Sequence, residues 1–189
     1  MRLEPVRSRN PLLRAVTWLL ARRFGRRVTP YDVVFARLPA AVPTQLAIYG
    51  ALQTGLGLDR GLTLLVQQHV STLNGCSFCT DIGRAMATYR GVSREQLDAL
   101  PAWRTSDAFT PAERAALAYV EEATRDRRVA DATFAELRAH FDDRAIVAIT
   151  WLAAVESYFN LLNRPLEIGS DGLCAIADRR AAARGRAAA

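Results

Sequence analysis

Lysine is absent from this 189-residue chain; all 25 of its basic residues are arginine. Cysteine occurs three times and histidine twice. No uninterrupted apolar run approaches the ~18 residues of a membrane span, so no spanning segment is predicted. Leu12–Leu20 is the best-placed stretch for a targeting segment, but Arg14 interrupts it. Arg22, Arg23, Arg26 and Arg27 then stand where a signal peptide would carry small residues and a cleavage site. The chain is expected to be unprocessed and cytoplasmic. No segment sustains period-two alternation with hairpin turns, which argues against a sheet. No clean internal repeat is present either.

The positive charge is confined to the ends. Residues 1–44 hold nine arginines against Glu4 and Asp32, and the tail from Asp171 holds four against two acids. Between them, twelve arginines face fifteen acids. A basic arm can touch nucleic acid or an anionic surface, but no aromatic-plus-basic stripe or nucleic-acid motif accompanies it. The preferred reading is a solvated arm or one that docks on another subunit, with nucleic acid disfavoured as a partner.

What the sequence does contain is a succession of helix signals. Asn10-Pro11 opens an amphipathic stretch to Phe24, and Thr29-Pro30 reads as an N-cap with proline at the first helical position. Pro39 and Pro43 bracket a loop before a segment from Thr44 to Thr54. Asp59 caps an apolar helix, Leu62–Leu73, that Asn74-Gly75 stops. Helical periodicity resumes from Cys76 to Tyr89. Thr110-Pro-Ala-Glu113 is a capping box, Asp131 starts a further helix, and Asp143 caps a long one from Ala145 to Leu162. The tail AAARGRAAA is low-complexity and expected to fray. The predicted fold is all-α, a helical bundle with no sheet. Its expected parts are a basic helical arm (1–43), a central helical domain (44–174) and the tail (175–189).

Two of the three cysteines lie three residues apart, immediately after the Asn74-Gly75 stop. The pair reads as a metal half-site, a redox dithiol or two small buried residues. Zinc fails on ligand supply: beyond the pair only Cys174, His69 and His140 remain, and no second C-x-x-C or H-x-x-x-H exists. No metal or cofactor is expected. A new helix starting near Cys76 places both thiols in a first turn, where unpaired N–H groups and the dipole favour a thiolate. The spacing also puts both sulfurs on one face, close enough for reversible disulfide exchange. Inert buried cysteines remain the bland alternative.

The stretch LLVQQHVSTLNGCSFCTDIGRAMA, with ESYFNLLNRPLEIGSDGLC downstream, resembles the AhpD-like branch of the carboxymuconolactone decarboxylase superfamily. The resemblance covers roughly Thr44 to Cys174. It implies an all-helical homo-oligomer and a thiol-dependent reductase of alkyl hydroperoxides, re-reduced by a thiol or disulfide-reductase protein. It also implies Cys79 as the attacking thiol and Cys76 as its resolving partner, whereas proximity to the helix end favours Cys76. The decarboxylase branch generally lacks the cysteine pair, which argues against that activity. Two departures stand out. Leu64 occupies the position of the family's relay glutamate, and Gly83 that of its histidine. Asp81 and His69 are the nearest replacements as acid–base groups. Arg84 is read as offsetting the Asp81 charge or as simply exposed. Gly83→His, which restores the pattern, is expected to raise the rate or at least not to lower it, if the fold tolerates the side chain.

The remaining polar residues are read as structural. Glu156, Asn160 and Asn163 recur at helical spacing and suit a subunit contact better than a cavity shared with the cysteines. Trp151 and Phe159 are expected in the core, Cys174 as a small buried residue, and Glu121 and Glu122 facing water. Two functional classes follow: a peroxide-reducing dithiol enzyme, and a non-peroxidase, redox-responsive or assembly member of the same superfamily.

Overall fold

The computed structural model describes residues 1–54 and 56–187, and its regular structure is helical, with no strand among the described residues. Helix α1 spans Pro11–Phe24; Asn10 caps it by accepting the Leu13 N–H at 3.2 Å. A π-type turn at Tyr31–Phe35 and a 3-10 turn at Pro39–Ala41 lead into α2, Val42–Thr54, so Pro43 lies inside the first turn of a helix rather than in a loop. Thr29 does not act as an N-cap. Its N–H and hydroxyl both go to the Asp171 carboxylate, at 2.8 and 2.5 Å, and two bonds to a charged acceptor outweigh one cap.

Helix α3, Arg60–Leu73, starts on Asp59 and stops at Asn74. Gly75 then takes φ +63°, a left-handed conformation that side chains rarely adopt, and turns the chain back into α4, Ser77–Arg90. Beyond it lie α5 (Arg94–Ala99), α6 (Pro111–Arg125), α7 (Asp131–His140) and α8 (Asp143–Asn163). The predicted capping box is present: Thr110 and Glu113 each bind the other's backbone N–H. Asp142, not Asp143, caps α8, because Asp142 has the extended backbone from which its Oδ1 reaches the Ala145 N–H at 2.7 Å. Of the tail expected to fray, residues 181–187 belong to α9, Leu173–Ala187, and the last two lie outside the described residues. The start of α9 is fixed from outside: the two Asp81 carboxylate oxygens accept the N–H groups of Leu173 and Cys174, each at 2.9 Å.

Helix α3 is the hub. It packs on α4, α6 and α8, while α9 lies on α4. Val66 and Val70 of α3 are fully buried with Val120, Leu137, Ile149 and Leu152; burying each such side chain contributes about 1.5–3 kcal/mol. Helix α8 is long and apolar enough to cross a membrane by composition, with mean hydropathy 1.6. Its buried residues, Ile149 and Leu152 among them, sit in the chain's own core. The basic N-terminal segment does not stand off in solvent. Leu13, Val28, Tyr31, Val33, Phe35 and Val42 form one buried cluster with Cys76 and Cys79. The outer side of α1 leaves Leu12, Trp18 and Leu19 exposed.

Asp81→Ala removes both acceptors that start α9 and is expected to destabilise the protein by about 1–3 kcal/mol. Limited proteolysis should then cleave within α9 before the rest of the chain; a digestion pattern identical to that of the native protein would refute the capping role.

Candidate functional site

Cys76 and Cys79 are joined as a disulfide across the start of α4, with their Cα atoms 5.3 Å apart. Cys76 is the N-cap residue, and its Sγ accepts the Cys79 N–H at 3.3 Å. An anion at that position is favoured by the helix end, which suits a sulfur that becomes a thiolate when the bond opens. Both residues are almost completely buried, at 1% and 4% exposure. The Cys79 sulfur has a partner from another helix: Asn163 of α8 donates its Nδ2–H to Sγ at 3.5 Å. The Oδ1 of Asn163 is buried without a hydrogen-bond partner, a vacant acceptor next to the sulfur.

The polar face of α8 that the sequence assigned to a subunit contact is buried within the chain itself, turned onto the cysteine end of the fold. Glu156, Asn160 and Asn163 are all buried. Ser71 of α3 donates to Glu156 Oε1 at 2.6 Å, Asn160 donates to the same oxygen at 3.0 Å, and Gln67 reaches Oε2 at 3.3 Å. Asn74, at the helix stop, donates to Asn160 Oδ1 at 2.8 Å, and the Ser71 carbonyl accepts the Cys76 N–H at 2.9 Å. Burial pushes the Glu156 carboxyl up to about 7, although three neutral donors pull the other way. Beyond Asn74 and Asn160 a cleft of about 380 Å³ opens between α6 and α8, with Arg127 and Arg164 in its lining.

The two replacements expected for the relay are engaged elsewhere. Both Asp81 oxygens cap α9, and His69 faces α6. No hydrogen bond joins either residue to a cysteine sulfur among the described residues. His69 Nε2 lies 3.4 Å from Glu121 Oε2 and its ring meets Trp103 edge-on. Glu121 is buried rather than facing water, because Trp103 Nε1, Arg104 and Arg125 each donate to it at 3.0 Å. Burial works against its charge, yet these donors hold its carboxyl below the ordinary value. Glu122 accepts from the Ala130 N–H and the Thr133 hydroxyl, tying down the start of α7.

Other expectations are corrected in the same way. Arg84 pairs with Asp98 at 2.6 Å, not with Asp81. Cys174 is half-buried, and Arg94 donates to its Sγ at 2.9 Å while also pairing with Asp178. Trp151 and Phe159 do pack on the core. Leu64 lies in an apolar cluster with Leu65, Ala87, Val92 and Leu97, apart from the one that holds the cysteines. At position 83 the family's histidine would force Gln68 to move: a Cβ there would fall 1.8 Å from Gln68 Nε2, the far end of that side chain. Gln68 is itself buried and donates to the Cys79 carbonyl at 3.1 Å, so a larger side chain would displace a group that holds the site.

The family model for the carboxymuconolactone decarboxylase family matches residues 39–122. Over 182 residues the chain is 31% identical to the uncharacterised Escherichia coli K12 protein YnjA, covering 95% of this chain and all of that one. A crystal structure from Agrobacterium tumefaciens, of unknown function and assigned provisionally to the antioxidant defence protein AhpD, is 28% identical. It superposes with a TM-score of 0.68 over 73% of this chain and 96% of that one. The debrominase Bmp8 is similar in fold at 20% identity, with a TM-score of 0.77 over 92% and 95% of the two chains.

His69 supplies a test of the burial described above. Desolvation lowers its pKa to about 4, against 6.5 for the free side chain, even though Glu121 favours the charged form. The unfolded chain binds the extra proton between these values, so stability rises with pH across that window and is lost on acidification. The loss is on the order of 3 kcal/mol. Chemical denaturation at pH 7 and pH 4.5 should show that acidification costs the native protein about 3 kcal/mol more than it costs His69→Gln; the same pH dependence in both proteins would place its source elsewhere.

Proposed function

Because the chain belongs to the AhpD-like branch of the carboxymuconolactone decarboxylase superfamily, we propose that it is a dithiol oxidoreductase that reduces organic hydroperoxides. The observation that carries this reading is the buried Cys76–Cys79 pair, bonded within one helical turn, with Asn163 on the Cys79 sulfur. In the reduced protein the Cys79 thiolate attacks the outer oxygen of the hydroperoxide. The O–O bond breaks, the alkoxide takes a proton and leaves as an alcohol, and Cys79 becomes a sulfenic acid. The Cys76 thiol then displaces water to close the disulfide. A thiol or disulfide-reductase protein returns two electrons, and the cycle suits the reducing cytoplasm. No step calls on a metal or cofactor. Leu12, Trp18 and Leu19, exposed along α1, suit a homo-oligomer.

The reduced protein, mixed with tert-butyl hydroperoxide, should yield one alcohol per disulfide formed, with the loss of two hydrogens confined to the peptide bearing residues 76–79. Cys79→Ser should abolish the reaction and Cys76→Ser should arrest it at a sulfenic acid on Cys79. An organic bromide in place of the peroxide separates this chemistry from reductive debromination. Oxidation no faster than that of a free thiol, or pairing with Cys174, would overturn the reading.

A further inference from the structure

We propose that Glu156 is the protonatable group coupled to the Cys76–Cys79 pair, standing on α8 in place of the acid and base that positions 64 and 83 do not supply. The proposal rests on the dithiol reading above and adds the residue that manages its protons. Glu156 does not touch a sulfur in this structure, so it is a positioning and proton-holding residue that acts through its partners.

Two hydrogen-bonded routes lead from its carboxyl to the Cys76 side of the redox pair, and a neighbour on the same face of α8 binds the Cys79 side. Ser71, which donates to Glu156 Oε1, carries the carbonyl that accepts the Cys76 N–H. Asn160, the second donor to that oxygen, is held by Asn74, two residues before Cys76. Asn163 follows Asn160 by one turn on the same face of α8 and binds the Cys79 sulfur directly. The acceptor left vacant on Asn163 can take the S–H of a reduced Cys79 or the O–H of an incoming hydroperoxide.

The surroundings favour a carboxyl that changes protonation state over one that serves as a fixed charge. Among the described residues no arginine or histidine pairs with Glu156, and all its hydrogen-bond partners are neutral. The titratable group that interacts with it is Tyr49 from α2, which packs with Tyr31 against the cluster that holds the cysteines. On α6, Glu121 and Arg125 are engaged with each other and with His69; on α7, Arg138 pairs with Asp143 at the opposite end of α8. Burial leaves the carboxyl poised to gain or lose a proton near neutrality.

Reduction of the disulfide adds two electrons and takes up as many as two protons; the one that Cys79 gives up on becoming a thiolate must be held and then delivered to the departing alkoxide, and the other leaves in the water released as the disulfide closes. When Cys79 is a thiolate, its charge favours the protonated form of a nearby buried acid. Glu156 therefore binds its proton more tightly in the reduced protein than in the oxidised one, and releases it as the pair is oxidised.

The test is the midpoint potential of the pair between pH 5 and 9, measured by equilibration with a dithiothreitol buffer, which needs no peroxide. The native protein should show a change of slope near pH 7. Glu156→Gln should lose it and Glu156→Asp should restore it in part. Identical curves for the native protein and Glu156→Gln would overturn the proposal, since a purely structural role lowers stability without reshaping this curve. Should Glu156→Gln fail to fold, Ser71→Ala keeps the carboxyl but cuts one link; it should move the inflection, and an unmoved inflection would overturn the proposal equally. Where the native protein reacts with tert-butyl hydroperoxide, Glu156→Gln should lower the rate at pH 7 at least ~10²-fold. If the native protein ignores peroxide yet shows the inflection, the peroxidase reading fails and the coupling stands.

Discussion

The fold depends on how α3 ends. Asn74 and Gly75 stop an apolar helix that is buried on three sides, by α4, α6 and α8, and Gly75 alone takes the left-handed turn that follows. That reversal sets the first turn of α4 against the polar face of α8. Were α3 to continue for one more turn, Cys76 would lie mid-helix and lose the unpaired N–H groups that now surround its sulfur. The same stop supplies Asn74, which holds Asn160, and so joins the end of the helix to the buried polar cluster.

Helix α3 separates two buried carboxylates of opposite character. Glu121 sits among cations and an indole N–H that favour its charged form, while burial keeps its neighbour His69 neutral. Glu156 has no cation and only neutral donors, and its carboxyl is pushed up to about 7. The first arrangement is structural: it clamps Trp103 and Arg104 onto α6. The second leaves a protonation state open in the polar cluster that reaches the Cys76–Cys79 turn. Their stability signatures are opposed as well. His69 favours the folded state as pH rises, whereas a carboxyl with a raised pKa, such as Glu156, favours it as pH falls.

Most helices were legible because their caps are local chemistry. Asn10, Asp59 and the Thr110–Glu113 box act within four residues of themselves, and each is present. Helix α9 was not, because the group that starts it, Asp81, lies 92 residues away in sequence. The cysteine pair was legible from its spacing and from the stop before it. Its surroundings were not: the recurrence of Glu156, Asn160 and Asn163 marks one face of α8, but periodicity alone does not say whether that face meets a neighbour or the protein's own interior. Gln67 and Ser71, polar residues four apart on α3, were the complementary signal. Asp81 and His69 were favoured for nearness in sequence, and the structure sends both to other tasks.

In the coupling proposed for this site, the redox state of Cys76–Cys79 and the protonation of Glu156 change together. Infrared difference spectroscopy of the disulfide and dithiol forms at pH 7 addresses it most directly. The account requires a protonated-carboxyl band that grows on reduction and is missing from Glu156→Gln. A difference spectrum without any carboxyl contribution, or with one that survives in Glu156→Gln, would contradict it.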